Sequence, residues 1–171
     1  MLLLFLLCGC AGYRLGPTNG MAPGSQSIQV SLFQNRTIEP RVSEAVASAL
    51  RKNLQRDGTF TLNTEGDADI LISGVITDYG RRPLTYQRRD VLSARDFRVT
   101  MTAKVKAVER LAGKVLLDRE VTGTTMVRID PEQKNSLGVG SDQSSVERQA
   151  LPLLAEDLAR RVTSLLVDGE W

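Results

Sequence analysis

The chain contains no histidine, and its two cysteines, Cys8 and Cys10, both fall within the first ten of its 171 residues. Histidine is the commonest general base and the commonest metal ligand, so its absence removes both at once. Neither a Ser-His-Asp nor a Cys-His arrangement can be assembled from this chain, and an ordinary zinc site is excluded with them. Without cysteine beyond Cys10 there is no disulfide framework and no Cys-based metal site in the body of the chain. A surplus of one charge sign is also missing. The 22 Lys and Arg against 20 Asp and Glu leave +2, too little by itself to mark a nucleic-acid binder. Carboxylate-only or Ser-Lys catalysis remains open, but no Gly-Ser-Gly type nucleophile turn is present. The length fits one domain.

What is present begins with Met1 to Leu7, a Leu-rich apolar run followed by Cys8-Gly9-Cys10-Ala11-Gly12-Tyr13-Arg14-Leu15. A spanning helix needs about 20 consecutive apolar residues, so this run is too short to cross a bilayer. It has the size of a signal peptide's apolar core. Leu7-Cys8-Gly9-Cys10 resembles the bacterial lipobox, with a small residue before the cut and a cysteine after it. The peptidase needs a small residue beside the scissile bond, and the Cys10 thiol accepts the diacylglyceryl group. Several acyl chains anchor firmly where one binds only marginally. Unlike that pattern, no Lys or Arg precedes the run. The alternative is a greasy terminus that belongs to a core strand. The expected organisation is a signal peptide over 1–9, a lipidated Cys10 with a tether over 10–26, and one domain over 27–171.

Residues 16–26 are rich in turn formers, as a tether requires. Ile28, Val30 and Leu32 alternate with Gln29 and Ser31 and predict a half-buried strand. Over 40–57, Val42, Ala45, Val46, Ala49, Leu50 and Leu54 form one stripe at helical spacing. Pro40 suits a first turn and Gly58 the position just past the end. Ile70 to Tyr79 predicts a near-continuous apolar inner strand. Strand, helix, strand implies a parallel crossover. Asp67 and Asp69 read as a turn before that strand rather than a catalytic pair.

Residues 80–95 look like the least regular stretch, with five arginines to one acid and with Leu84 and Tyr86 among the charges. Guanidinium groups grip phosphate bidentately, so this stretch is either a ligand loop or a solvated connector. Phe97, Val99, Met101, Ala103, Val105 and Ala107 then alternate with Arg98, Thr100, Thr102, Lys104 and Lys106. That is a long strand with one apolar and one basic face. A turn at 111–114 leads into Val115 to Val127 and predicts an antiparallel hairpin. The last helix carries the stripe Val146, Ala150, Leu153, Leu154, Leu158, Val162, Leu165 and Leu166, and Pro152 predicts a kink or a break in it. The economical fold is α+β: a two-layer sandwich with both helices on one face of a four-stranded mixed sheet, in the order β-α-β-β-β-α.

These residues resemble the LPS-assembly lipoprotein family, LptE. The resemblance rests on Cys10-Ala11-Gly12-Tyr13-Arg14-Leu15-Gly16, on Ile28 to Thr37, and on the helix after Glu39-Pro40. It continues through Ala68 to Ile76, Phe97-Arg98-Val99, Gly113 to Leu116, and Leu154 to Ala159. It implies a non-enzymatic lipoprotein without cofactor or metal, held on the periplasmic face of the outer membrane. It further implies a partner, the LptD β-barrel, which such proteins plug while lipopolysaccharide is delivered to the outer leaflet. Nucleic acid is not among the expected partners. Ala11 is consistent with passage to the outer membrane. Because lipopolysaccharide carries phosphates and acidic sugars, charge nominates Arg81, Arg82, Arg88, Arg89, Arg95, Arg98, Lys104 and Lys106 as ligand residues. Two other classes compete. One is a lipoprotein that scaffolds a different envelope complex, of secretin or barrel-assembly type; the other is an envelope hydrolase working with carboxylates or Ser-Lys alone.

Overall fold

The computed structural model describes residues 24–87, 90–128 and 143–169, without the side chains of 85–87, 90–95 and 143–147. The elements in order are β1 (Ser27–Val30), β2 (Gln34–Asn35), α1 (Val42–Asp57), β3 (Thr61–Leu62), β4 (Ile70–Gln87), β5 (Asp90–Glu109), β6 (Val115–Arg128) and α2 (Gln143–Val167). The sheet runs β3-β1-β4-β5-β6, with β2 also beside β4. β1 and β2 lie parallel to β4, as a helical crossover demands, and β4, β5 and β6 form an antiparallel meander.

The α+β class and the two helices match the expectation, but among the described residues the sheet has six strands rather than four. The additional pair, β2 and β3, are two residues each, too short to show a periodicity. The expected first strand is interrupted at Ser31–Phe33, where Phe33 turns inward and is 2% exposed, and pairing resumes at Gln34. Its ring lies against Gly74 of β4. A Cβ there would stand 2.7 Å from Phe33 Cδ1 and from the Lys104 carbonyl oxygen.

α1 buries the predicted stripe of Val42, Val46, Ala49, Leu50 and Leu54. It starts at Val42 rather than at Pro40, because Arg41 before it takes φ 68°. The preceding turn is set by Asn35, which accepts the Thr37 N–H at 2.8 Å and donates to the Glu39 carbonyl at 2.9 Å. Gly58 closes the helix with φ 77°, its N–H donating to the Leu54 carbonyl at 3.1 Å. α2 is continuous through Pro152, so of the kink or break expected there the break does not occur. Pro152 is exposed, so the helical hydrogen bond that it cannot donate falls on the solvent side of the helix. Ala150, Leu154, Leu158, Val162 and Leu166 line the buried side, and the two helices pack on each other over one side of the sheet.

The largest departure concerns 80–95. The described residues of this stretch continue β4 and β5 as one long hairpin. A register shift between Ile76 and Asp78 leaves Thr77 as an extra residue. Such a bulge reverses which parity faces which side. Below it Ile70, Ile72 and Ile76 point into the core; above it Tyr79 and Arg81 share the side of Met101 and Val99, which are buried. The alternation is broken at Thr77 and charged beyond it, so no strand pattern is legible there.

Candidate functional site

The side of the meander away from the helices is where the basic residues of β5 emerge. β5 behaves as its alternation predicts: Val99, Met101, Ala103, Val105 and Ala107 are buried, while Arg98, Lys104 and Lys106 are exposed. The register decides what these cations face. Lys104 stands directly opposite Glu120 of β6, and Lys106 opposite Asp118. Opposite charges at directly paired positions offset each other, so the lower half of this face is a mixed surface rather than a basic one. Thr102 and Thr122 join hydroxyls across the same ladder at 3.0 Å.

Higher on the meander the balance changes. Arg82 of β4 pairs directly with Arg98 of β5, and Arg98 pairs with Met126 of β6. Arg82 and Arg98 are both exposed, and neither has an ion-pair partner among the described residues. Like charges directly opposite each other disfavour the sheet, a cost that a bound anion removes. Met126, 65% exposed, adds an apolar contact beside the two guanidinium groups. One row further, Arg128 donates Nε–H to Asp96 at 2.8 Å. That bond and the charge of Asp96 raise the Arg128 pKa.

Arg81, although adjacent in sequence, is on the other side of the sheet. Its guanidinium lies 5.3 Å from the Phe97 ring centroid, within cation–π distance. The structure thus brings Arg82 and Arg98 together, separates Arg81 from them, and sets Lys104 and Lys106 against acids. Arg88, Arg89 and Cys10 lie outside the described residues, as does the Arg95 side chain. Charge counting along the chain missed Asp118, Glu120 and Met126. The alternation of β6 places those three on one face, but only the register says which β5 residue each one meets.

Of the two carboxylates in the turn before β4, Asp69 holds the turn to β1. Asp69 accepts the Ser27 hydroxyl at 2.7 Å and the Ser27 N–H at 2.8 Å, which lowers its pKa. Asp67 is exposed and lies 3.9 Å from Arg110. Among the described residues no cluster of three or more potential ligands could hold a metal ion, and no helix is long and apolar enough to cross a membrane.

Similar folds occur in solved structures. An uncharacterized lipoprotein B from Nitrosomonas europaea shares 12% identity, with 92% of this chain and 91% of that chain covered and a TM-score of 0.55. A hypothetical protein from Chlamydia trachomatis shares 10% identity, with 84% and 95% covered and a TM-score of 0.53. PelC from Paraburkholderia phytofirmans shares 18% identity, with 86% and 92% covered and a TM-score of 0.50. At such identities the likeness speaks for the fold alone. No curated protein sequence matches the chain. The model of the LptE family, described as lipopolysaccharide-assembly, matches residues 25–166, which span β1 through nearly all of α2. The chain belongs to the LptE lipopolysaccharide-assembly family.

Proposed function

We propose that this protein is an outer-membrane lipoprotein, cleaved before Cys10 and acylated there, whose domain assembles with an LptD-type β-barrel on the periplasmic side and assists lipopolysaccharide delivery. The family match over 25–166 carries this role. Residues 1–9 serve as the signal peptide, 10–26 as lipidated cysteine and tether, and 27–171 as the domain. The role is non-enzymatic, a reading supported by the family match.

Within that role, the row Arg82–Arg98–Met126 is the proposed contact for lipopolysaccharide. Two guanidinium groups suit its phosphates, and the thioether suits the apolar edge of the same molecule. Arg88, Arg89 and Arg95 remain proposed contributors from the same hairpin. Lys104 and Lys106 contribute less, because Glu120 and Asp118 face them.

Native pull-down of the acylated protein from outer membranes tests the partner. An LptD-type barrel is expected as the dominant co-purifying protein. A secretin or another barrel-assembly component in its place would overturn the assignment in favour of a different envelope scaffold.

A further inference from the structure

Below the row Arg82–Arg98–Met126 the register sets two more rows on the open face of the meander, Gly80–Thr100–Thr124 and then Asp78–Thr102–Thr122. Along β4 that face therefore carries a carboxylate, a bare backbone position and a guanidinium at every second residue. A Cβ on Gly80 would stand 3.5 Å from Thr100 Oγ1 and 3.6 Å from Asp78 Oδ2. Side chains two residues apart on one strand face start about 7 Å from each other. A carboxylate oxygen this close to the Gly80 position thus leans along the strand toward the arginines. Among the described residues neither Asp78 nor the Thr100 hydroxyl has a hydrogen-bond or ion-pair partner. The row beneath differs, because Thr102 and Thr122 satisfy each other at 3.0 Å.

Asp78 and Arg82 are four residues apart on one face, about 13 Å along the strand, and they form no ion pair across the gap. A plain anion uses only the arginine end and is repelled by the carboxylate at the other. An ionised carboxylate accepts hydrogen bonds and cannot donate them, whereas the Thr100 hydroxyl does both. The patch is complementary to a molecule with phosphate at one end and hydroxyl groups at the other. We propose that it selects the phosphorylated sugar head of a glycolipid, with the phosphate on Arg82 and Arg98, the ring over Gly80, and ring hydroxyls donating to Asp78. Met126, 65% exposed, lies beside the phosphate end and places the apolar chains there. This selection rests on the reading of Arg82, Arg98 and Met126 as the lipopolysaccharide contact, and it adds Asp78, Gly80 and Thr100 as the residues that tell a sugar from any other phosphate-bearing lipid.

Equilibrium binding to the full-length native protein tests this with three lipids dispersed in one detergent: purified lipopolysaccharide, phosphatidylethanolamine and dihexadecyl phosphate. The protein is expected to favour lipopolysaccharide over each of the others by about tenfold or more. Asp78→Ala and, separately, Gly80→Val should each remove most of that preference by weakening lipopolysaccharide. In Asp78→Ala, dihexadecyl phosphate should bind as before or about twofold tighter, since a repelling charge has gone. Both variants keep the fold: Asp78 is exposed and unpaired, and Gly80 has room for a Cβ, no positive φ and a strand setting that valine favours. No preference in the native protein, or a preference that survives either substitution, would overturn the proposal. Equal binding of phosphatidylethanolamine would overturn it as well, because Asp78 would then be meeting an ammonium group. Arg82→Ala with Arg98→Ala separates the selection from the contact beneath it. If that double variant binds lipopolysaccharide as the native protein does, the contact itself falls and the proposal with it. If it weakens all three lipids while Asp78→Ala and Gly80→Val change nothing, the arginine contact stands and the sugar selection alone is overturned.

Discussion

The Asp157 carboxylate on α2 accepts the main-chain N–H of Thr124 on β6 at 3.0 Å. β6 is an edge strand, and Thr124 offers its amide away from β5. Such amides are open to unwanted strand pairing unless something covers them. Here a helix supplies the cover, and Arg161, at 2.8 Å, and Arg160 hold the same carboxylate in place. Next to this contact Gly123 lets the helix approach: a Cβ there would lie 2.8 Å from the Leu154 carbonyl oxygen.

Replacing Asp157 by Ala leaves the Thr124 amide unpaired at a half-buried site and two guanidinium groups without their anion. A loss of about 1–3 kcal/mol is expected. It should show as a lower urea midpoint with an unchanged slope. Arg160→Ala should cost much less, since that guanidinium is 67% exposed.

Acid should unfold the domain through the same group. Burial opposes ionisation of Asp157, but the Thr124 N–H and the two arginines outweigh it and lower its pKa from 3.8. Asp69 is lowered by the side-chain and main-chain bonds from Ser27. A depressed folded-state pKa gives stability that is present above the unfolded value and lost as pH falls through the folded one. Thermal melting is therefore expected to be flat from about pH 8 to pH 5, with no histidine to titrate between, and to fall below about pH 4. Asp157→Asn should make that fall shallower; an equally steep fall would assign it to other groups.

Gly74 and Gly123 are sites of close approach. Gly74→Ala should destabilise by about 1–3 kcal/mol through overpacking against Phe33 and the Lys104 carbonyl. Trimming the ring in Phe33→Leu should recover part of the loss, so a double-mutant cycle should give a favourable coupling. Gly123→Ala should cost a similar amount and gain nothing from Phe33→Leu, because its obstacle is the α2 backbone.

Ligand binding should distinguish the two halves of the meander face. Arg82→Ala with Arg98→Ala is expected to weaken lipopolysaccharide binding about tenfold or more and to reduce its salt dependence. Lys104→Ala with Lys106→Ala should change it about twofold or less. Equilibrium binding at two ionic strengths measures both, and equal losses would refute the assignment to Arg82 and Arg98.

The parts of the fold that were legible are those where one periodicity persists against one neighbour. α1 shows its stripe from Val42 to Leu54, and β5 alternates from Phe97 to Ala107, because each lies against a single apolar layer. β2 and β3 were not legible, since pairing of two residues depends on β1 and β4 and leaves no local mark. The continuity of α2 through Pro152 was hidden for a different reason: the cost of a helical proline depends on which side of the helix it faces. At the candidate site, residue types pointed to Arg98, Lys104 and Lys106, yet only the pairing of Lys104 with Glu120 and of Arg82 with Arg98 separates a compensated surface from an uncompensated one. Pairing is a property of two strands at once, and charge along one strand does not contain it.

The extra residue at Thr77 sets the address of the β4 side chains from Asp78 to Pro83, where the next register shift begins. Arg82 reaches the open face beside Arg98, and Arg81 reaches the Phe97 ring, because one residue is spent without advancing the ladder. Deleting Thr77 would exchange the two destinations without altering the net charge or the number of basic residues. Among relatives of this protein, a one-residue insertion or deletion near this point is thus a way to move charge from one surface to the other in a single step. Counting basic residues in the hairpin would never detect the change.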